Sequence, residues 1–485
     1  MTSIDPETWI GTTMNKRIPY HGLNRRGFLG KAATVVAAAT VLPRHVYGGA
    51  KFVPPSEKVN VAIIGCGGQG RTNLRELMKL EDVQIMAVAD PTESADYERY
   101  YYKGLGGRKP LRAEIEKHHQ KKNPSFQCAE YEDFRVMLEK EKSIDAVLVA
   151  TPDHVHAPAA SRAMRAGKHV YCEKPLAHNV WECRMLSKIA KETGVATQMG
   201  NQGHSGTGIR QTVEWLRDGA IGAVTEIHAW SDAGRWVNGK GRPRETPPVP
   251  AGMNWDLWVG PREVRPYHGD YAPFNWRAWW AFGGGAFGDM ACHNIDNAVW
   301  AYDLDAPTSV EAFAAGGVDP EVVSYAGIFH YHFAAKGGRG PIRLTWYDGG
   351  VRPPVPEWVG AEEMLEGGGN GTLFMGEKGC ISCAGWGGAP RIFPMTLHES
   401  YQRPAETLRR SKGHHRDWID ACKGGPAASA NFEYGARLTE IILLGNVALR
   451  TGKKLWWDAA NLKATNAPEA DAFIRESYRS GWEVA

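Results

Sequence analysis

Apolar positions along this chain follow two regimes. In the first, short β-branched or apolar runs alternate with longer helical stretches: Lys58 to Ile64, Val83 to Ala89, Ile144 to Ala150 and His169 to Leu176 read as strands, and Thr72 to Leu80 as a helix. Strands separated by helical crossovers predict an open α/β sheet. Between Asp90 and Ile144 lie helical, Lys-rich and Tyr-rich segments, read as a crossover carrying a surface insertion from Tyr97 to Gly107. The second regime begins at Ala196. Val224 to Trp230, Ser309 to Ala314, Val322 to Ala335 and Pro341 to Tyr347 alternate over longer spans, which predicts a large, mostly antiparallel open sheet. A helix-rich tail from Gly413 to Leu449 follows. The fold class expected is α/β, a first domain over 56–177 and a second, α+β domain over 178–485.

The 485 residues, 43% of them hydrophobic, suffice for two folded cores. Lys plus Arg number 57 against 54 acidic residues, and a net +3 over this length gives no footprint for nucleic acid or an anionic membrane. The expected partner is a small molecule. Of 18 Trp, half lie between Trp215 and Trp300; broad indole faces grip the apolar side of a sugar ring, and otherwise pack cores. The eight Cys are scattered and form no disulfide framework. Cys380 and Cys383 are the one close pair, and without a second such pair they are assigned to a strand after the Gly376–Gly379 turn and not to a metal. No metal is expected.

Asn24-Arg25-Arg26-Gly27-Phe28-Leu29-Gly30-Lys31, then a mild apolar run from Ala32 to Leu42 ending near Gly48, Gly49 and Ala50, resembles a twin-arginine export signal over residues 1–50. Asn24 stands where Ser or Thr is usual. The run is too short for a stable membrane anchor, which needs about twenty apolar residues. This implies the twin-arginine export machinery as a partner, cleavage, and a periplasmic or otherwise exported enzyme that folds around its cofactor before export.

Chemistry begins at the end of the first strand. Gly65-Cys66-Gly67-Gly68-Gln69-Gly70 carries G-x-G-x-x-G at Gly65, Gly67 and Gly70, with a strand before and a helix after. Gly65 permits the tight turn, Gly67 the approach of a pyrophosphate, and Gly70 close helix-strand packing, while the helix start offers free N–H groups to phosphate. Gly68 and Gln69 belong to the same cradle. Asp90 ends the second strand, where a carboxylate accepts from the adenosine ribose and disfavours a 2′-phosphate, so NAD is expected over NADP. This is a Rossmann signature. At the carboxyl end of the next strand, where such a sheet places its ligand, stand Thr151, Pro152, His154 and His156; Glu173-Lys174-Pro175 ends the strand after that.

The glycine fingerprint, Thr151-Pro152-x-x-x-His156 and Glu173-Lys174-Pro175, in this order and spacing, resemble the glucose-fructose oxidoreductase and inositol dehydrogenase (Gfo/Idh/MocA) family over nearly everything after residue 56. The resemblance implies that Lys174 sits beside the nicotinamide and the reacting hydroxyl, that Glu173 orients it, and that Pro175 follows a cis peptide. It implies an open second-domain sheet whose outer face mediates homo-dimer or homo-tetramer contacts.

In the second half, Gly283-Gly284-Gly285 precedes Asp289 and His293, four apart on a predicted helix and so on one face. A carboxylate beside an imidazole holds its tautomer and raises its basicity, as a general base for a sugar hydroxyl requires. The family resemblance implies that His293 acts on that hydroxyl, with Asp289 orienting it. Trp276 and Arg277, with Trp255, Trp258, Tyr267 and Tyr271, read as loops lining a sugar cleft, Arg277 donating to substrate oxygens. Asn201, Gln202 and His204 follow a strand leading to the site floor, against nicotinamide or substrate. His414 and His415 are given helix-cap or structural roles.

Together these residues predict hydride transfer between a sugar carbon and nicotinamide. Because exported NAD cannot be exchanged freely, the cofactor must be restored within each cycle. A second carbonyl compound could reoxidise it, or a glycoside could be cleaved by transient oxidation, elimination and water addition with no net redox change. The Asp289/His293 pattern favours the first. A non-catalytic, nucleotide-dependent sugar binder is the third reading.

Overall fold

Six strands of the first sheet, β1 (Val59–Ile64), β2 (Val83–Ala89), β3 (Ala129–Tyr131), β4 (Ala146–Val149), β5 (His169–Cys172) and β6 (Thr197–Met199), all pair in parallel in the order β3-β2-β1-β4-β5-β6. This is the doubly wound order, whose ligand crevice opens at the carboxyl ends of β1 and β4, where the winding reverses. The computed structural model that shows it describes residues 54–233 and 241–484. The twin-arginine motif and its apolar run lie outside those residues. Pro55–Glu57 is a single 3-10 turn of a separate unit ending at Glu57; all that follows concerns the unit that begins at Lys58.

β1 and β4 are apolar on both faces because helices cover both; Val61, Ile63, Val147 and Leu148 are fully buried. The sheet reaches past the boundary expected at 177. After β5 the chain forms a helix, Val180–Thr193, opened by an Asn179/Glu182 capping box and stopped by Gly194 at φ +66°, and only then returns as β6.

The second sheet holds nine strands: β7 (Val224–Ser231), β8 (Ser309–Ala314), β9 (Gly327–Phe333), β10 (Ile342–Tyr347), β11 (Asn370–Gly376), β12 (Cys380–Ala384), β13 (Gly388–Phe393), β14 (Leu455–Asp458) and β15 (Lys463–Ala464). Their order is β13-β12-β11-β7-β10-β9-β8-β14-β15, antiparallel except for the β7–β10 pair. The strand expected from Val322 begins only at Gly327. The residues before it are taken by the loop ahead of Asp289: Val322 bridges Trp279, and the Trp280 N–H donates to the Glu321 carbonyl. Cys380 and Cys383 lie buried in β12, as their spacing suggested.

Helix Phe432–Thr451 joins the halves. It packs on helix Val180–Thr193 and β6 on one side, and on β8 and helix Gly285–Asn294 on the other. That surround explains why every residue from Leu438 to Leu449 is buried, Ile441, Ile442 and Leu444 among them. One hydrophobic core therefore runs through both domains. The chain then adds β14 and β15 and crosses back to the first domain, where Trp482 packs on Phe134 and under the Arg135 guanidinium. No helix among the described residues is long and apolar enough to cross a membrane.

Candidate active site

A cavity of about 820 Å³ opens at the switch point between β1 and β4 and extends to the glycine-led helix of the second domain. Its inner end is built from the glycine turn. Gly65 sits at φ +91°, and a Cβ there would lie 2.5 Å from the Ala150 carbonyl oxygen; one on Gly70 would lie 2.0 Å from that of Gly65. Strand and helix thus approach as closely as backbone allows. Helix Gly68–Leu77 starts within the turn, with no side-chain cap on its first N–H groups. Asp90 lines the cavity and also braces the turn, accepting from the N–H of Cys66 at 2.7 Å and of Thr92 at 2.8 Å. Burial holds its carboxyl above the usual range in spite of those bonds.

Tyr97 to Gly107 is exposed on one side, with Tyr101 and Leu105 in solvent, and its other side packs inward. Ala95–Asp96 pairs with Leu105–Gly106 to make a small hairpin that folds back over the glycine turn. A Cβ on Gly68 would meet the Tyr102 ring at 2.1 Å, and one on Gly67 the Tyr97 hydroxyl at 2.6 Å. Tyr102 donates to Gln69 at 3.2 Å, and Arg71 holds the hairpin by donating to the carbonyls of Lys103 and Leu105. Across the cavity, Tyr100 stacks on Phe274 of the second domain, ring centroids 4.4 Å apart.

Lys174 projects from the end of β5 next to a cis Lys174–Pro175 bond, as expected. Its ammonium donates to the Asp289 carboxylate at 2.7 Å and the Asp289 carbonyl at 2.8 Å. Burial opposes the charge, but Asp289 outweighs it and raises the lysine above its ordinary value, so it is a cation at neutral pH. Arg277, stacked over Trp276 at 4.1 Å, also donates to Asp289, at 3.3 Å. Although burial raises the Asp289 carboxyl, the two cations hold it well below the usual carboxylate range.

Two sequence expectations change here. Asp289 and His293 share a face of helix Gly285–Asn294, yet the carboxylate is engaged by Lys174 and Arg277, and His293 Nδ1 has no partner among the described residues. Asp289 therefore orients the lysine, not the imidazole. Burial, then the Lys174 charge, push His293 down to about 3, so it is neutral in this site. Glu173 accepts from the Lys174 backbone N–H, at 3.3 Å, and not from its ammonium. It accepts from Asn73 at 2.8 Å, Gln202 at 3.0 Å and Gln69 at 3.1 Å, clamping the glycine-turn helix to the floor after β6.

Gly65, Gly67, Gly68, Gln69, Asp90, Thr151, Pro152, Glu173, Lys174, Trp276, Arg277, Asp289 and His293 all line the cavity. Other expected residues stand behind its wall, Trp255, Tyr271 and His204 among them. Gly70 faces the Gly65 carbonyl. The ring nitrogens of His154 lie 3.3 and 3.1 Å from the carbonyls of Phe282 and Trp258, and those of His156 lie 2.7 and 2.9 Å from those of Pro175 and Thr151. Both are buried, which lowers their basicity and keeps them neutral struts between loops. Asn201 donates to Asp296 at 2.9 Å, a buried carboxylate that also faces His204 and Tyr434. Gln202 and not Asn201 reaches the cavity. His414 and His415 are structural, as expected: His414 lies between Ser205 and the Met199 carbonyl, and His415 against Asn73.

Asp153, Tyr101, Tyr102 and Trp386 line the cavity and were not foreseen. Asp153 sits inside the Thr-Pro-x-x-x-His motif itself and could have been read from it. The aromatics carry no motif.

The inner end fits a dinucleotide in its uncapped helix N–H groups and in Asp90 beyond them, both on the cavity that holds Lys174 and His293, while the hairpin tyrosines Tyr97 and Tyr102 pack on Gly67 and Gly68. Such a fold and site define a nicotinamide-dinucleotide oxidoreductase class with a second α/β domain on the other side of the cavity. The chain belongs to the Gfo/Idh/MocA oxidoreductase family. Its NAD-binding Rossmann-fold model matches residues 59–201 and its C-terminal alpha/beta domain model residues 215–335. The chain is 27% identical to an alpha-N-acetylgalactosaminidase of Shewanella oneidensis over 219 residues, 42% of this chain and 45% of that one. It is 24% identical to the 2,7-anhydro-N-acetylneuraminate hydratase of Escherichia coli over 170 residues, 35% of this chain and 39% of the other. These matches span less than half of each relative. The WlbA dehydrogenase from Bordetella pertussis, solved with NADH and UDP-GlcNAcA, shares the fold with a TM-score of 0.53 at 17% identity, covering 83% of this chain and 99% of that one.

Proposed function

We propose that this chain is an NAD-dependent oxidoreductase acting on a sugar or sugar derivative by hydride transfer, with its NAD kept bound and restored within the catalytic cycle by a second carbonyl compound that takes up the hydride. The observation that carries the reading is the convergence of a charged lysine and a neutral histidine on the cavity that begins at the glycine turn. When bound, the nicotinamide supplies a reversible hydride acceptor. Gly65 to Gln69 would hold its diphosphate, and Asp90 favours the unphosphorylated ribose of NAD over NADP. The Lys174 ammonium donates a hydrogen bond to the reacting hydroxyl oxygen and raises that hydroxyl's acidity. His293, neutral in its surroundings, is the group placed to take the proton, and its lowered basicity requires that transfer to run together with departure of the hydride. Asp289 keeps Lys174 charged and fixed, and Arg277 adds a donor for substrate oxygens.

A second reading is redox-neutral cleavage of a glycoside: oxidation next to a C–H that becomes acidic, elimination of the leaving group, addition of water and reduction. An acid and a base side by side suit it, and relatives named as a galactosaminidase and a hydratase favour it. Export by the twin-arginine route and a homo-dimer or homo-tetramer formed through the large sheet belong to the same proposal. Cell fractionation and light scattering of the purified protein test them.

The deciding experiment incubates purified protein, without added NAD, with aryl glycosides and with free sugars. A ketosugar supports oxidation, and aglycone with intact free sugar supports the redox-neutral route. No turnover on any carbohydrate leaves a sugar-binding protein and overturns both. Lys174→Ala is expected to lower turnover by about 10²- to 10⁴-fold while nucleotide absorbance stays with the protein.

A further inference from the structure

Trp386 is the side chain at this cavity that no fold requirement explains. Its indole is 51% exposed, yet it lines the cavity edge-on to His293, ring centroids 5.6 Å apart. A tryptophan left half in water is a loss to the core, and this one is also held in a backbone conformation that tryptophan resists. Trp386 has φ +62° and ψ 22°, in a Gly385-Trp386-Gly387-Gly388 turn between β12 and β13 where its neighbour Gly387 also has positive φ. Glycine or asparagine would adopt that turn without steric conflict.

The surroundings fix the turn in place. The Trp386 backbone N–H donates to the side chain of Asn294, the residue next to His293, at 3.3 Å. Gly203 on the cavity floor is bare at the point of contact, since a Cβ there would sit 2.5 Å from that of Trp386. Strain kept at an exposed aromatic beside a reactive imidazole points to use of the ring face. Tyr101, 70% exposed on the first-domain hairpin, is the other strongly exposed aromatic that lines this cavity. Its charged neighbours are Arg277, Asp289 and Lys174.

From this geometry we infer that Trp386 is the stacking platform of a second subsite, which takes the ring glycosidically linked to the reacting sugar. The preferred substrate class is then glycosides, a disaccharide or an aryl glycoside, over free monosaccharides. The inference rests on the sugar-active reading of Lys174 and His293 and adds the position of the second ring. A sugar presents an apolar C–H face and an aryl group a π-face, and either stacks on an exposed indole.

The test compares wild type, Trp386→Ala, Trp386→Phe and, as a control outside the cavity, Trp456→Ala. Each is assayed for turnover of a disaccharide or aryl glycoside against the matching free monosaccharide, and for calorimetric binding of a thio-linked disaccharide. For Trp386→Ala the glycoside-to-monosaccharide ratio of kcat/KM is expected to fall about tenfold, carried by KM, with a matching loss in thio-disaccharide affinity. Trp386→Phe should recover most of both, and Trp456→Ala should match wild type. An unchanged ratio, or equal losses on both substrate types, overturns the platform while leaving the sugar reading in place. Absence of turnover and of binding with either substrate type in the wild type overturns the sugar reading and the platform together.

Discussion

Asp153 shows how one side chain can couple this site to the stability of the protein. It opens helix Asp153–Arg165 behind Lys174 and accepts the Gly284 N–H at 3.3 Å. Burial, joined by the Asp289 charge, outweighs Arg277 and Lys174 and pushes its carboxyl up to about 8 from 3.8. The folded protein then keeps a proton that the unfolded chain releases. That contribution is fully present below the unfolded value and is lost as pH rises toward about 8. Asp153→Asn cannot lose it. In urea unfolding, the variant's midpoint should gain on wild type from about pH 5 to about pH 8, and a constant difference would contradict the assignment. His293 has the opposite sign: its folded value near 3 lies below the unfolded 6.5, so its contribution is lost as pH falls through that window. Lys174 and His293 themselves were legible from short motifs. Their partners were not, because an i,i+4 spacing fixes which residues share a face but not which cation reaches the carboxylate first.

At the scale of elements, the hairpin of Ala95–Asp96 and Leu105–Gly106 lies at the surface as expected, but its inward-packed side was not legible. A tyrosine-rich loop between glycines is polar enough for solvent, and nothing local says that it turns inward. Its position follows from Gly67 and Gly68, which leave room for Tyr97 and Tyr102, and from Phe274 on the opposite wall. Seated over the glycine turn, the hairpin would slow escape of a bound dinucleotide. Tyr102→Ala should release protein-bound nucleotide about tenfold faster, since stacking and buried area of this size are worth about one factor of ten. Release measured by filtration after adding excess competitor nucleotide checks this, and an unchanged rate would assign retention elsewhere. The strands, in contrast, were readable: Val83–Ala89 and Ser309–Ala314 match their expected bounds, because period and β-branching act locally.

Across the whole molecule, the two domains are held as one body by a shared core and by the returning tail. Glu476 anchors that tail: its carboxylate meets Arg262 at 2.5 Å, a ring nitrogen of His178 at 3.0 Å and Arg450 at 3.3 Å. Burial raises this carboxyl, but Arg262 and His178 hold it well below the usual range. Arg262 is only 6% exposed, so Glu476→Gln leaves this buried cation, among carboxylates, only its longer contact to Glu182, at 3.9 Å. The expected cost is about 3–5 kcal/mol of unfolding free energy, measured with urea at neutral pH. A loss below about 1 kcal/mol would mean that the pair is solvated like a surface bridge.

What the amino-acid order determined by itself is everything that depends on neighbours a few residues apart. The glycine turn, the strand carrying Lys174, the helix with Asp289 and His293, and the change from buried strands to alternating ones are all of this kind. Such features follow from backbone sterics and side-chain period, which act over one turn or one pleat. Tertiary structure alone decided that Asp289 serves Lys174, that His154, His156 and Asn201 stand behind the wall, and that Trp386 and the tyrosine hairpin face the cavity. Each of those outcomes depends on contacts between residues far apart in sequence, where burial and competing charges, and not local propensity, set which partner wins.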